Sequence, residues 1–181
     1  EPPELTNPAT VTASSSSIAA VEEGADVGLG LAVPSGSGSL QVLVTQIPAI
    51  GQVVTAAGSP VVVGATLAPT DLPGLRYLPP GDYDGQTPIA PFTYSVSNGT
   101  STASGGTQIN VTAINDSPVT NAGAAGGNED STLPVALGGS DVDGSVASVR
   151  VTTLPANGTL LLADGVTAVS AGQVLTPAQA S

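Results

Sequence analysis

An internal repeat is the feature that most limits what this chain of 181 residues can fold into. Two stretches share a strand–turn–strand pattern around a Pro-x-x-Gly turn, at a spacing of 107 positions. The aligned segments are residues 44–51 with 151–158, Gly58 with Gly165 and, after a shift of one residue, 63–69 with 171–177. Self-similarity at one spacing is typical of tandem repeats, so we expect two copies of a unit of about 110 residues.

Apolar and polar residues alternate in both copies, as they do in half-buried β-strands. The alternating apolar positions are Val42 and Val44; Phe92, Tyr94 and Val96; Ile109, Val111 and Ala113; and Val149 and Val151. Turn-forming residues separate these segments at 79–81, 97–99, 105–106, 157–158 and 164–165. No stretch of ten residues has helical periodicity, so the sequence predicts an all-β fold built as a β-sandwich.

The chain has four aromatic residues, and all of them fall in the second half of the first copy: Tyr77, Tyr83, Phe92 and Tyr94. A sandwich with so few aromatic side chains needs them inside, where each buries a large apolar area. We therefore expect these residues to be core anchors and not a ligand-binding platform.

The repeat divides the chain into three predicted parts. Residues 1–17, rich in Pro, Ser and Thr, form a linker or a strand added to a neighbour. Residues 18–117 form the first β-sandwich, and residues 118–181 form the N-terminal part of the second, with the junction at 115–118. Because the chain has no Met and no signal peptide, we expect it to be a segment of a longer protein.

The second copy stops before the residues that would match 75–114 of the first. Half a sandwich leaves an apolar face and strand edges open. Two explanations stay open at this point. The chain belongs to a longer array of repeats, or strands from a neighbouring chain complete the second unit.

Composition excludes several classes of function. The chain has no Cys and no His, so thiol nucleophiles, Ser-His-Asp triads and zinc or haem sites lack their residues. Its two cations, Arg76 and Arg150, are too few to bind a nucleic-acid backbone. No run approaches the ~20 apolar residues of a membrane-spanning helix, so we expect no membrane insertion.

Acidic residues outnumber basic ones by 14 to 2, and most of them occur in short clusters on predicted turns. The clusters are Glu22 with Glu23, Asp82 with Asp84, Asp116 followed by Glu129 and Asp130, and Asp141 with Asp143. Acids two positions apart repel each other unless a cation lies between them, and Ca²⁺ takes six to eight oxygen ligands. The alternative is that each cluster is a solvated turn, since Asp and Gly are ordinary turn residues.

The boundary segments and the acid spacing resemble those of cadherin-like tandem repeats in large bacterial surface proteins and adhesins. The segments that carry the resemblance are 113–118 (AINDSP), 129–132 (EDST), 141–144 (DVDG), 151–160 (VTTLPANGTL) and 171–177 (AGQVLTP). The resemblance implies tandem Ig-like or cadherin-like β-sandwich domains, the second incomplete within this chain. It also implies an extracellular or cell-surface location.

By the same resemblance, the acids around the junction would hold shared Ca²⁺. The implied ligands are Glu22 or Glu23, Asp82, Asp84, Asn115, Asp116, Asp141 and Asp143. The first copy has Pro34 and Gly36 where the second has Asp141 and Asp143, so no such site is expected at its N-terminal end. Glu129 and Asp130 would serve a following junction.

Three functions compete on this evidence. The first is a non-catalytic structural or adhesive module that Ca²⁺ stiffens, with neighbouring repeats, copies of itself, or a cell-surface or polysaccharide target as partners. The second is a subunit of a polymerising filament or surface layer. The third is a glycosidase that uses a carboxylate pair, but the acids lie on turns and no aromatic sugar platform is visible. A carbohydrate-binding module ranks between the first two functions and the glycosidase. We expect no enzymatic activity.

Overall fold

The computed structural model describes residues 10–181, and the chain divides into two compact units, Glu1–Ile114 and Asn115–Ser181. The strands of the first unit are β1 (Ser15–Val21), β2 (Val27–Gly28), β3 (Gln41–Gln46), β4 (Gln52–Val54), β5 (Thr66–Leu67), β6 (Arg76–Leu78), β7 (Phe92–Ser97) and β8 (Thr102–Thr112). A 3-10 helix over Pro69–Gly74 lies between β5 and β6.

The first unit contains two sheets. One has five strands in the order β1-β8-β7-β3-β5, and the other has three in the order β2-β6-β4. Neighbouring strands are antiparallel, except that β1 runs parallel to β8, with Ser15 opposite Gly106 and Val21 opposite Thr112. The first unit is therefore built mainly from β-strands, which confirms the all-β prediction for this part of the chain.

The two sheets share one hydrophobic core, which contains Val42 of β3, Val53 of β4 and Tyr77 of β6. Strand β7 shows the predicted alternation, because Phe92, Tyr94 and Val96 are fully buried while the residues between them are partly exposed. All four aromatic side chains are buried, as predicted. They supply the largest apolar surfaces of the core.

One predicted turn is wrong, because Gly105 and Gly106 lie inside β8. At these positions the two glycines allow neighbouring segments of the chain to approach β8 closely, and they do not reverse the chain direction. A Cβ atom on Gly105 would collide with the carbonyl oxygen of Ser14, and one on Gly106 would collide with that of Phe92. The absent side chains therefore let Ser14, just before β1, and Phe92 of β7 approach β8 closely.

Strand β1 begins at Ser15, within the segment 1–17 that was assigned to a linker or an added strand. Residues 1–9 of that segment lie outside the described residues. The preceding Ser14 is held by Tyr94, whose hydroxyl donates to the Ser14 carbonyl at 2.9 Å and accepts from the Ser14 N–H at 3.0 Å. These bonds fix the point where the chain enters the sheet.

The second unit is smaller and has shorter elements: β9 (Val119–Thr120), β10 (Gly139–Ser140), β11 (Val149–Arg150), β12 (Val174–Leu175) and the helix α1 (Pro177–Ala180). Strand β9 pairs with β10, and β11 pairs with β12, both antiparallel. Its core is formed by Val151, Val169, Leu175 and Ala180. No described helix of either unit is long and apolar enough to cross a membrane.

The structure reproduces the sequence repeat at the level of strand register. In the first unit β3 pairs with β5, with Val42 opposite Leu67. In the second unit β11 pairs with β12, and the aligned residues Val149 and Leu175 are opposite each other. The two copies therefore form the same strand pair from aligned residues.

The turns of the two copies also match. Gly51, Gly58 and Gly64 have φ between 71° and 84°, and their counterparts Gly158, Gly165 and Gly172 have φ between 70° and 84°. This left-handed conformation favours glycine. Two acids, Glu23 and Asp130, share it at φ of 54° and 57°, and they too are 107 positions apart.

Candidate metal centre

The side chain of Glu22 is fully buried at the end of β1. One of its carboxylate oxygens accepts the backbone N–H of Tyr83, and the other accepts that of Ile114 at 2.9 Å. Tyr83 lies in the loop between β6 and β7, and Ile114 is the last residue of the first unit. A single carboxylate therefore joins the end of β1 to a distant loop and to the point where the chain leaves the unit.

The alternation of β1 places Glu22 on the same buried face as Ala20, and the chain turns directly after it. The N–H of Glu22 donates to Thr112 at 3.0 Å, continuing the pairing of β1 with β8. The N–H of Glu23 then donates to the carbonyl of Pro80 at 3.0 Å. The left-handed φ of Glu23 closes the turn and leaves its own side chain exposed.

No cation of this chain neutralises Glu22 within the described residues. The ion pair of the first unit joins Arg76 to Asp26, which the guanidinium contacts through two of its nitrogens. Hydrogen bonding to Arg76 holds the pKa of Asp26 below its ordinary value. Arg150, the other cation, belongs to the second unit. A buried carboxylate is costly unless it is paired, and Glu22 has two N–H donors and no Arg partner.

Asp82 and Asp84 lie on either side of Tyr83, so the loop that binds Glu22 also brings them to this end of the unit. Asp82 is exposed. Asp84 accepts the N–H groups of Gln86 and Thr87, both at 3.0 Å, and the Thr87 hydroxyl at 3.0 Å. Hydrogen bonds from the Thr87 and Gln86 backbone lower the pKa of Asp84.

Asp164 in the second unit forms the same kind of turn, although it was not among the candidate ligands. Its carboxylate accepts the N–H groups of Val166 and Thr167, both at 2.9 Å, and the Thr167 hydroxyl. The Thr167 hydroxyl and the two N–H groups lower the pKa of Asp164. The shared sequence pattern Asp-Gly-x-Thr was visible before the structure was known. It shows that the hydrogen bonds of Asp84 are those of an ordinary Asp-containing turn.

The candidate acids at the start of the second unit lie close to one another. The backbone N–H of Asp116 donates to a carboxylate oxygen of Asp143 at 3.2 Å. The carboxylate of Asp141 accepts the N–H of Gly144 at 2.8 Å, which closes the Asp-x-Asp-Gly loop. The side chain of Asn115 donates to the carbonyl of Asp116 at 2.7 Å. The first residues of this unit thus contact the loop that carries two of the predicted ligands.

The structure therefore arranges the predicted ligands in two partial sets. The first unit brings Glu22, Asp82 and Asp84 to the end where the chain leaves it, and the second brings Asp116 to Asp143. Within residues 10–181 no three acidic side chains converge closely enough to form a metal cluster. The donors present are carboxylate, amide and carbonyl oxygens, which suit a hard cation such as Ca²⁺ and exclude soft-metal chemistry.

The sequence matches no protein-family model and no curated protein sequence.

Proposed function

We propose that this chain is a non-catalytic structural or adhesive module of the cell exterior, built from tandem Ig-like or cadherin-like β-sandwich repeats. The shared core of two sheets in the first unit supports this proposal, as does the matching register of β3–β5 and β11–β12. Repetition of one unit along a chain suits an extended stalk, because each unit contacts mainly its neighbours.

We further propose that Ca²⁺ binds the acids that precede and follow the junction in the sequence: Glu22, Glu23, Asp82, Asp84, Asn115, Asp116, Asp141 and Asp143. The observation that carries this proposal is the buried carboxylate of Glu22, which binds the N–H of the last residue of the first unit. A chain with 14 acids and two Arg residues has almost no internal means of neutralising it. A bound divalent cation would remove the repulsion among these acids.

Thermal unfolding of the full chain in millimolar CaCl₂ and in EGTA tests the calcium proposal. A ligand that binds the folded state alone, present at 100 times its Kd, adds about 2.7 kcal/mol to the free energy of unfolding. We expect the melting temperature to rise by roughly 5 °C or more. Substitution Asp143→Asn should remove most of the rise, because it removes a candidate ligand.

Asp164→Asn is the matched control, because Asp164 also lies in an exposed Asp-Gly turn but outside the candidate set. This variant should keep the full calcium response. Equal melting curves of the unsubstituted chain in CaCl₂ and in EGTA would rule out the calcium part of the proposal. An equal loss of response in both variants would show that Ca²⁺ acts through general charge screening.

A further inference from the structure

Asparagine followed directly by glycine occurs twice in this chain, at residues 98–99 and 157–158, and threonine comes next in both places. The pair Asn-Gly is typical of tight turns. It is also the pair in which the asparagine side chain is most open to attack by the backbone, because glycine has no side chain to shield its nitrogen. The three residues are the same in both places, so their surroundings in the fold decide how readily each pair reacts.

The two glycines have nearly the same backbone conformation and the same access to solvent. Gly99 has a φ of 89° and Gly158 has a φ of 82°. Both are exposed, and a Cβ atom added to either would have no neighbour within 4 Å. Neither the backbone at the glycine nor its exposure therefore distinguishes the two pairs.

Hydrogen bonds hold the side chain of Asn98 in place. Its carbonyl oxygen accepts the N–H of Thr100 at 3.0 Å, the Thr100 hydroxyl at 3.0 Å and the N–H of Ser101 at 2.8 Å. Its NH₂ group donates to the carbonyl of Ser37 at 2.9 Å. The side chain can therefore rotate toward the next backbone nitrogen only after several bonds have broken.

The second pair has none of this restraint. The N–H of Gly99 donates to the hydroxyl of Ser97 at 3.1 Å. Within residues 10–181, by contrast, the N–H of Gly158 has no hydrogen-bond acceptor, and the exposed side chain of Asn157 has no hydrogen-bond partner. A reaction between the side chain and the glycine nitrogen therefore costs several hydrogen bonds at Asn98 and none at Asn157.

We propose that Asn157 is a site of spontaneous modification, where the side-chain amide becomes a carboxylate while Asn98 stays intact. The nitrogen of Gly158 loses its proton to a base in the solvent and attacks Cγ of Asn157. The bond from Cγ to the amide nitrogen breaks, that nitrogen leaves as ammonia, and a five-membered succinimide ring remains.

Water then opens the ring at one of its two carbonyl carbons. Opening at Cγ gives aspartate. Opening at the backbone carbonyl gives isoaspartate, in which the chain continues through the former side chain. The overall reaction takes up one water molecule and releases one ammonia molecule, and no atom changes its oxidation state.

The reaction changes only one copy of the repeated Pro-x-x-Gly turn. This turn is formed by residues 155–158 in the second copy and by residues 48–51 in the first, where Ile50 occupies the position of Asn157. Both products add one negative charge at neutral pH, and isoaspartate also lengthens the backbone by one carbon atom. Asn157 is not among the proposed Ca²⁺ ligands, so the inference is independent of the calcium proposal.

Mass spectrometry of the full chain, digested with elastase at intervals during incubation at neutral pH, tests this proposal. We expect Asn157 to be converted at least tenfold faster than Asn98, with both aspartate and isoaspartate among the products. The rate at Asn157 should rise with pH, because the glycine nitrogen must lose its proton before it attacks. Equal rates at the two residues, or faster conversion of Asn98, would overturn the proposal.

The same incubation in concentrated urea separates the effect of the fold from that of the sequence. In the unfolded chain both residues should be converted at similar rates, since each lies in the same Asn-Gly-Thr sequence. An Asn98 that stays slow in urea would overturn the proposal, because the protection would then come from the neighbouring sequence. An Asn157 that is converted only in urea would overturn it as well.

The double variant Ser97→Ala/Thr100→Ala tests the protecting bonds. It removes the acceptor of the Gly99 N–H and one donor to Asn98. Conversion of Asn98 should become several times faster while that of Asn157 stays unchanged, and an unchanged rate at Asn98 would contradict the assigned protection. If circular dichroism shows that this variant has unfolded, the comparison of the unsubstituted chain with and without urea decides.

Asn157→Gln is the matched control for the reacting residue. Glutamine keeps the amide but is one carbon longer, so it cannot form the five-membered ring. This variant should show no conversion at position 157, and Asn98 should be as stable as in the unsubstituted chain. Conversion of Gln at the rate of Asn157 would overturn the proposed cyclisation.

Discussion

The carboxylate of Glu22 joins three segments that are far apart in sequence. Tyr83 is 61 positions away and Ile114 is 92 positions away, and each donates a backbone N–H to a different oxygen of the same side chain. Hydrogen bonds from two N–H groups offset part of the cost of burying a carboxylate. This side chain therefore connects the end of β1, the loop between β6 and β7 and the last residue of the first unit.

Replacement of Glu22 by Gln should lower the free energy of unfolding in EGTA by about 1–3 kcal/mol. The amide keeps the shape of the side chain, but its NH₂ group must face either Tyr83 or Ile114, and two donors then oppose each other. Urea unfolding measures the loss. Glu23→Gln removes the same charge from the adjacent exposed side chain and should change stability by less than about 0.5 kcal/mol. Equal effects of the two substitutions would contradict the buried role of Glu22.

Replacement of Gly105 by Ala should also destabilise the first unit. The new Cβ would lie against the Ser14 carbonyl and 2.9 Å from the Tyr94 hydroxyl, so either β1 or Tyr94 must move. Overpacking of this kind costs about 1–3 kcal/mol, which urea unfolding detects. Gly81→Ala is the control, because nothing lies within 4 Å of the added Cβ atom. A stable Gly105→Ala variant would mean that β1 does not approach β8 as described.

The sequence shows which residues are acidic and clustered, but it does not indicate which of them is buried. The burial of Glu22 depends on donors from Tyr83 and Ile114, and no local pattern indicates that these amides meet one side chain. The Gly105–Gly106 pair was misassigned for a similar reason. A glycine pair within a run of alternating residues is compatible with a turn, or with a strand against which another strand packs closely. Here the closely packed strand is β1, which begins 90 positions earlier, at Ser15.

At the level of elements, one tyrosine bonds the residue that precedes β1 to the sheet. The hydroxyl of Tyr94 bonds to the N–H, the carbonyl and the hydroxyl of Ser14, just before β1 begins. Its parallel pairing with β8 then extends over seven residues. The Tyr94 bonds therefore determine where the pairing starts.

Tyr94→Phe should loosen β1 without changing the rest of the sheet. Loss of the hydroxyl leaves the Ser14 groups without these bonds, and we expect a loss of about 1–2 kcal/mol and faster amide exchange in Ser15–Val21. Tyr77→Phe is the matched control, because the Tyr77 hydroxyl bonds to Ile50 and not to β1. Faster exchange in β1 in both variants, or in neither, would contradict this assignment.

The two Asp-Gly-x-Thr turns should make stability depend on pH in the acid range. The pKa values of Asp84 and Asp164 are lowered from 3.8 by bonds formed in the folded state. Their contribution is therefore present above pH 3.8 and is lost as the pH falls through the lowered values. The double variant Asp84→Asn/Asp164→Asn keeps an oxygen acceptor at each turn but has no charge to titrate.

We expect the melting temperature of the unsubstituted chain to fall more steeply than that of the double variant as the pH falls below 3.8. The other carboxylates contribute equally to both curves, so the difference between them isolates the two turns. Parallel curves over this range would contradict the assignment.

Among the elements, strands with period-two alternation were the most predictable. The segments around Phe92, Val42 and Ile109 were each predicted, because the alternation of apolar residues reports directly on burial. The parallel pairing of β1 was not predicted. Strand β1 begins with three serines, and two of them bond to β8 through their hydroxyl groups: Ser16 to Thr107 at 2.8 Å and Ser17 to Asn110 at 3.2 Å.

At the scale of the whole chain, the repeat links sequence, fold and proposed function. Aligned residues form the same strand pair and the same left-handed turns in both units. A helical segment begins at the aligned residues Pro69 and Pro177, as a 3-10 helix in the first unit and as an α-helix in the second. The sequence predicted the shared strand–turn–strand pattern, because the repeated residues are those with local conformational roles, but it did not predict the helical turns. The positions of Asp141 and Asp143 in the second unit could not be predicted in the same way, since the first copy has Pro34 and Gly36 at the matching positions.

The central claim is that Ca²⁺ binds the acids before and after the junction. The most direct test is a CaCl₂ titration of the ¹⁵N-labelled full chain, followed by the amide signals. We predict saturable shifts at Tyr83, Ile114, Asp116 and Gly144, whose N–H groups contact or adjoin the candidate acids, and no comparable shift at Val166 or Thr167 beside Asp164. An absence of shifts at the first four amides, or shifts of equal size at all six, would contradict the claim.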